Sequence, residues 1–559
     1  MTDASLPLAQ HDLKVGLRAP ETVMRLARMG SAHPTRLSFL RVLLRRVRDE
    51  GWRFDRPVWD VDAKGVGRAV YRAIGPARTY SLVAFSHDLP DHMRSDRVIA
   101  TAWDATFALF DGTPTTQDLD RLQRNVPLQE AGRVSARELS LSRANRSVRL
   151  WAHVVDSLAA GHQPEMSEID AVGYLMRTTA VYGSGKFGAA DRREIAERPE
   201  LHGPFQAEML SVWLTRQFTV DIVEHLAAAK GGERAVRLSD QIKRRLGVGN
   251  STGLGMAPFL VRHPMLMNNW MAMRETALAR VRALADATPD AVAALHLAYT
   301  AACDNADSWR SEHPIQIAKL QDLRRDLARI GERLGSFPDE EALPWDALWR
   351  WGERQLTLEG QEMLFALLIE PHGAVVDNLA QGMSADEHVA FTLDGAMKVG
   401  TLQAIFRDRY GWALSIDFQP AEAQARFWYV SEEKLEPRLG ERASEEGAEL
   451  EQPLCIARLA KELYADLSAW PATETVAAFL LRHPEHRYMA RRAQIAADHP
   501  YAEVQDNLIA KDMLPIDLMR CKLAFFGASH FDPRSDKWVR ISLFQGAPYP
   551  LDMQGKGRP

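Results

Sequence analysis

The sequence predicts an α+β protein, predominantly α-helical, with a central helical core and small antiparallel β elements toward the N- and C-termini. Three observations predict it. From residue 115 to 335, apolar residues recur at three- and four-residue spacing in segments too long for alternating βαβ units. Short β-branched and aromatic runs gather before residue 114 and return near the C-terminus. The chain has 559 residues, 46% hydrophobic and 26% charged, the ordinary mix of a globular protein with large buried cores. The resulting division is an N-terminal α+β region (1–114), a helical core (115–335) and a mixed, mostly helical C-terminal region (336–559).

Each element has its own signal. Residues 36–50 read as an amphipathic helix, with Leu37, Leu40, Leu44 and Val47 on one face and arginines opposite. Residues 70–74, 79–85 and 98–103 read as strands, the first two joined at Gly75-Pro76 in a hairpin. Helical periodicity marks 135–160, 205–230, 234–246, 266–286, 289–304 and 315–334. Further helices are expected near 359–370, 396–408, 453–466 and 473–481, with strands at 425–430 and 537–544. Residues 431–452, rich in Glu, Arg and Gly, read as an exposed loop or linker, which a partner would contact if the protein is a scaffold. Ala257–Pro264 and Ala477–Pro484 echo one another, each ending Arg-His-Pro, which reads as a common way of stopping a helix.

Composition narrows the function classes. A net charge of −5 provides no global field for nucleic acid or an anionic membrane. Three cysteines (Cys303, Cys455 and Cys521) in no paired spacing fit a reducing compartment. The start lacks a secretory pattern and no run of 18 apolar residues occurs, so a cytoplasmic address is expected.

Two glycine clusters stand out. Residues 247–255, Gly-Val-Gly-Asn-Ser-Thr-Gly-Leu-Gly, hold four glycines and three small polar residues. Each glycine costs roughly 0.5–1 kcal/mol relative to Ala in a regular element, so the cluster needs a reason. Gly247 reads as the C-terminal cap of a helix ending Lys243-Arg244-Arg245, and Asn250, Ser251 and Thr252 as caps of the next one, a loop able to cradle an anion with Gly249 and Gly253. Structural glycines at a tight helix crossing are the competing reading. Upstream, Gly183-Ser184-Gly185-Lys186-Phe-Gly188 spells G-x-G-x-x-G, with Glu208 about twenty residues on. A dinucleotide site needs a strand before, a helix after and a second parallel strand, and the flanking pattern reads otherwise. An anion nest formed by backbone N–H groups, with Lys186, Arg177, Thr178 and Ser184 around it, suits the segment better.

Ser251, Met256 and Pro258 share residue types with the serine loop of the fumarase and aspartate-lyase superfamily. The Ser–Met spacing differs, and Val261 to Pro264 replace the Lys and Asn of that signature, so no family is assigned.

Candidate acid–base groups are few. His530 and Asp532 lie in a loop before the last strand, and His263 follows the second glycine cluster. His263 and His483, each before a proline, also read as helix C-terminal histidines held by the dipole. His87, Asp88, Asp91 and His92 offer nitrogen and oxygen donors for a divalent metal, although they match no known ligand spacing. The reading that unites these features is a cytosolic enzyme acting on a small anionic metabolite by elimination, hydrolysis or group transfer. Its site is the pair of glycine clusters; Lys186 and Arg177 hold the anion, and His263 or His530 is the acid–base group. Nucleic acid and membrane are not expected partners, a homo-oligomer stays open, and the cofactor is unknown. The alternatives are a helical scaffold or regulatory protein with structural glycines and, further off, a nucleotide-dependent oxidoreductase.

Overall fold

The computed structural model describes residues 15–90, 102–127, 135–178, 195, 197–253, 260–261, 263–309, 314–338, 340–384, 391–419, 428–431, 437–439, 451–453, 456–505, 515–532 and 538–554. It is a mixed α+β structure, mostly helical, but its sheet is far larger than small terminal elements. Nine strands lie in the order β1-β2-β3-β4-β5-β6-β7-β12-β11. They are β1 (Arg53–Val61), β2 (Gly67–Ile74), β3 (Thr79–Ser86), β4 (Ala105–Asp111), β5 (Glu138–Arg146), β6 (Tyr174–Thr178), β7 (Gly247–Gly253), β11 (His530–Asp532) and β12 (Trp538–Leu543). All three regions of the chain contribute strands.

The expected helix over 135–160 is corrected: its first half is β5, and only Trp151–Ala159 is helical. Leu139-Ser140-Leu141-Ser142 alternates with period two, and all four residues are buried. The alternation spans only a few residues and runs on into the helical spacing of Trp151–Ala159, so a single long helical window absorbed it. The expected loop at 431–452 is also corrected in part. Trp428–Ser431 (β8), Pro437–Leu439 (β9) and Glu451–Pro453 (β10) form a separate three-stranded sheet. The expected strand at 98–103 lies largely outside the described residues.

The helices that matter below are α1 (Phe39–Asp49), α2 (Gln206–Gly231), α3 (Asp240–Arg245), α4 (Pro264–Arg282), α5 (Leu358–Ile369), α6 (Ile456–Ser468), α7 (Val476–Arg482), α8 (Arg487–Asp498) and α9 (Pro515–Cys521). No single helix among the described residues is long and apolar enough to cross a membrane. Buried along most of its length, α2 lies against the sheet, where Trp213 meets Phe54 edge-on at 5.0 Å and Phe218 meets Phe107 at 5.5 Å. An aromatic cluster of Phe39, Phe205, Trp270, Phe525 and Phe526 joins α1, α4 and the turn after α9, with centroids as close as 4.8 Å. Such contacts add about 0.5–1.5 kcal/mol each beyond burial. Far-UV circular dichroism should therefore be dominated by helix, and a strand-dominated spectrum would contradict the architecture.

The helical side also buries charge. Arg18 holds Glu275 through Nε at 2.7 Å and Nη2 at 2.8 Å, and Glu362 through Nη1 at 2.8 Å. Arg28 and Arg274 also reach Glu362. The Arg274 guanidinium stacks 3.8 Å from the Phe365 ring centroid, and Tyr501 Oη donates to the Arg18 carbonyl at 2.8 Å. Arginine's planar fork suits buried bidentate pairing of this kind.

Residues 247–253 are not a loop between helices. They form β7, parallel to β6 and antiparallel to β12. Asn250, Ser251 and Thr252 are strand residues, not helix caps. The end of α3 is capped from elsewhere: Arg216 on α2 donates to the carbonyls of Leu246 (2.8 Å) and Lys243 (3.2 Å). Gly247 is thus released from capping and pairs with Tyr174. Glycine is required at 249 by close approach, because a Cβ there would lie 2.6 Å from the Tyr174 ring. Gly249→Val should therefore destabilise folding itself, by about 1–3 kcal/mol from overpacking, read as a lowered denaturation midpoint. A variant as stable as the wild type would show that the ring moves aside.

Candidate functional site

The parallel pair β6/β7 is the one such pair among the described strands, and α2 is the crossover between them. In open sheets, ligands gather outside the carboxyl ends of parallel strands. Here those ends are Thr178 and Gly253 on neighbouring strands. The sequence leaving the first carries Gly183, Ser184, Gly185, Lys186 and Gly188, and the sequence leaving the second carries Gly255, Met256 and Pro258. Both groups lie outside the described residues. The expected lack of flanking strands is corrected: a βαβ unit is present. Its short first strand had been hidden behind the helix Met166–Val172. Glu208 still does not match a ribose-binding acid, since it is buried on α2 and not at the end of the second strand.

Beside Thr178, the end of β6, sits a group the sequence reading missed. Lys522 follows α9 in a single π-turn, Lys522–Phe526, closed by Gly527 at φ 90°. Such turns gather at functional sites. The side chain is buried, and its Nζ lies 2.6 Å from Asn250 Oδ1 on β7. Asn250 Nδ2 donates to the Thr178 carbonyl at 2.8 Å, and Thr178 Oγ1 donates to the Arg143 carbonyl at 3.1 Å. A polar chain thus runs from the lysine across β7 and β6 to β5. Burial drives the Lys522 pKa well below the ordinary lysine value, which favours an uncharged amine. The only sequence signal was a lysine inside an apolar run, Cys521-Lys522-Leu-Ala-Phe-Phe526. Burial pushes its neighbour, the Cys521 thiol, up to about 12, so Cys521 is an inert thiol.

Register places several expected residues together. Asn145, Arg177, Gly249, Ser542 and His530 form one cross-strand row, and Ser251, Arg540 and Asp532 form another on β7, β12 and β11. Arg177 and His530 are three strands apart, roughly 14 Å at about 4.8 Å per step. The expectation that His530 and Asp532 lie in a loop is corrected to the edge strand β11. Arg177 is half-buried, whereas Thr178 has both its hydroxyl and its carbonyl engaged within the sheet.

The remaining candidates lie elsewhere. His263 stands at the N-terminus of α4, just after the helical residues Leu260 and Val261, and His483 ends α7. The two share nearly one conformation (φ −122°, ψ 61° and φ −127°, ψ 61°), because a following proline excludes the α region. Their echo thus includes one pre-proline geometry after helical residues. His87 is half-buried with Nε2 3.2 Å from Thr106 Oγ1, and burial lowers its pKa. Asp88 is exposed, and Asp91 and His92 lie outside the described residues.

Comparison with known proteins adds no relative. No family model matches the chain, and no curated protein or solved structure does either.

Proposed function

We propose that this protein is an enzyme acting on a small anionic metabolite at the carboxyl ends of β6 and β7, with the Lys522 amine as its reacting base or nucleophile. The observation that carries the reading is the buried amine 2.6 Å from Asn250 on the glycine-rich strand β7, itself bonded to Thr178 at the end of β6. An uncharged amine keeps its lone pair. It can take a proton alpha to a carboxylate, as elimination requires, or add to a carbonyl, as group transfer through a covalent intermediate requires. Arg177 and Lys186 supply positive charge for a carboxylate or phosphate, and His530 with Asp532 supplies a second acid–base pair. The free thiols Cys303 and Cys521 support a reducing, cytoplasmic setting.

A thermal-shift screen against small carboxylates and phosphorylated metabolites tests the reading, run on the wild type, Lys522→Met and Lys186→Ala. A ligand should raise the wild-type midpoint by mass action and leave that of folded Lys522→Met unmoved. Lys186→Ala should melt almost as the wild type does while binding about 1.5–3 kcal/mol more weakly. If Lys522→Met responds to the ligand as the wild type does, the lysine is a structural group. If no anion shifts the wild type, the scaffold reading takes precedence.

A further inference from the structure

Away from the sheet, four side chains converge that the proposed function does not use. Asp466 lies near the end of α6. His483 ends α7, and Glu485 and His486 occupy the 3-10 turn Pro484–His486 that leads into α8. One ligand atom from each lies within 4.8 Å of all the others. His486 Nε2 is 2.7 Å from Asp466 Oδ2, and His483 Nδ1 is 3.5 Å from Glu485 Oε1. We propose that Asp466, His483, Glu485 and His486 form a binding site for a divalent transition metal of the zinc type, which ties α6 to the turn between α7 and α8.

Chemistry and packing both favour this over two separate polar contacts. Two imidazoles and two carboxylates make an N₂O₂ set, which suits zinc and its borderline neighbours and disfavours calcium or magnesium, whose sites are built from oxygen. The two carboxylate charges balance a divalent ion. The imidazole planes are also held in place. Phe479 stacks on His483 at 4.7 Å and 19° and on His486 at 5.9 Å and 6°, while Trp470 meets His483 edge-on at 5.6 Å. His486 is buried, so little ordering remains for binding to supply. Donors around a tetrahedral ion with bonds of about 2.0–2.2 Å sit roughly 3.4 Å apart. Closure therefore requires shifts on the order of an ångström: Asp466 draws back from His486, and the exposed Glu485 carboxylate swings inward. With all four positions filled by protein, the site is of the closed, structural kind.

The local sequence His483-Pro-Glu485-His486 contains the H-x-x-H spacing, but the fourth donor comes from a helix that ends before α7 begins.

The test uses the full chain, freed of metal by chelation and titrated with Zn²⁺ by calorimetry, with Co²⁺ as a spectroscopic substitute. The wild type should bind one Zn²⁺ here, gain thermal stability from it and give the intense visible absorption of tetrahedral Co²⁺. His486→Ala and Asp466→Asn should each weaken that site at least about tenfold and abolish the thermal gain. Because His486 is buried and its loss could unfold the region, Glu485→Gln and His483→Gln are tested alongside, with circular dichroism confirming the fold. These substitutions sit at more exposed positions and should weaken binding in the same direction. Equal Zn²⁺ affinity in the wild type and all folded variants, or no Zn²⁺ uptake by the wild type, would overturn the proposal.

Discussion

Replacing Glu362 by Gln should remove about 3–5 kcal/mol of folding stability, the scale of breaking a buried ion pair by deleting one partner. Glu362 is fully buried and accepts from Arg18 at 2.8 Å, from Arg28 at 3.2 Å and from Arg274. Gln keeps the shape but deletes the charge, leaving Glu275 as the remaining carboxylate of this cluster against three guanidinium groups. The effect should depend on pH in a defined sense. Burial alone would raise the Glu362 pKa, but the charges and hydrogen bonds of Arg18 and Arg274 outweigh it and hold the carboxyl at about 2. A lowered folded-state pKa means that the stabilisation is complete above the unfolded value of about 4.3. It is then lost as pH falls through the folded value. The gap between the wild type and Glu362→Gln should thus be constant from pH 7 to about 5 and narrow toward pH 2. Urea denaturation followed by circular dichroism measures it. A gap below about 1 kcal/mol at pH 7 would mean that the network relaxes around the neutral side chain.

Lys522→Met should show the opposite trend. The folded lysine has its pKa pushed down by burial, so between that value and about 10.4 the unfolded chain holds a proton that the folded chain does not. Each unit of lowering costs the wild type about 1.4 kcal/mol at low enough pH. Methionine removes that cost. Against it stands the Asn250 Oδ1 acceptor, which loses its 2.6 Å donor at a cost of about 1–3 kcal/mol. The variant's stability relative to the wild type should therefore be greatest at the acid end and decline steadily as pH rises toward about 10. Denaturation series from pH 6 to 10 would show this slope. A difference that stays flat across that range would mean that Lys522 is charged in the folded protein, and the amine would lose its place as base or nucleophile.

The long helices were legible because their signal is local. Three- and four-residue spacing over 205–230, 266–286, 289–304 and 315–334 anticipated α2, α4 and the helices Pro289–Ser308 and Pro314–Leu334 within a few residues. Strand β5 was not, since its short Leu/Ser alternation adjoins the helical spacing of Trp151–Ala159 and was merged with it. The candidate site divides in the same way. Glycine clustering pointed to β7 and to the sequence that follows β6, but Lys522 lies 272 residues from its Asn250 partner, and nothing local marks that contact. The four metal donors show the same split: His483, Glu485 and His486 are close in the chain, whereas Asp466 joins them only through helix packing.

By itself, the sequence determined that this chain forms a mostly helical, mixed α+β protein with two unusual glycine-rich segments. Periodicity, capping residues and composition act over a few neighbouring positions, and these properties need nothing more. Only the tertiary structure decided that Gly247–Gly253 is a strand, that Arg216 caps α3, and that Arg18, Glu275, Glu362 and Lys522 are buried. A glycine-rich strand has little β preference of its own and exists because β6 and β12 supply its hydrogen bonds and Tyr174 fills the space a side chain would take. Charged side chains read as surface in one dimension, and they tolerate the interior only when partners distant in sequence complete their hydrogen bonds.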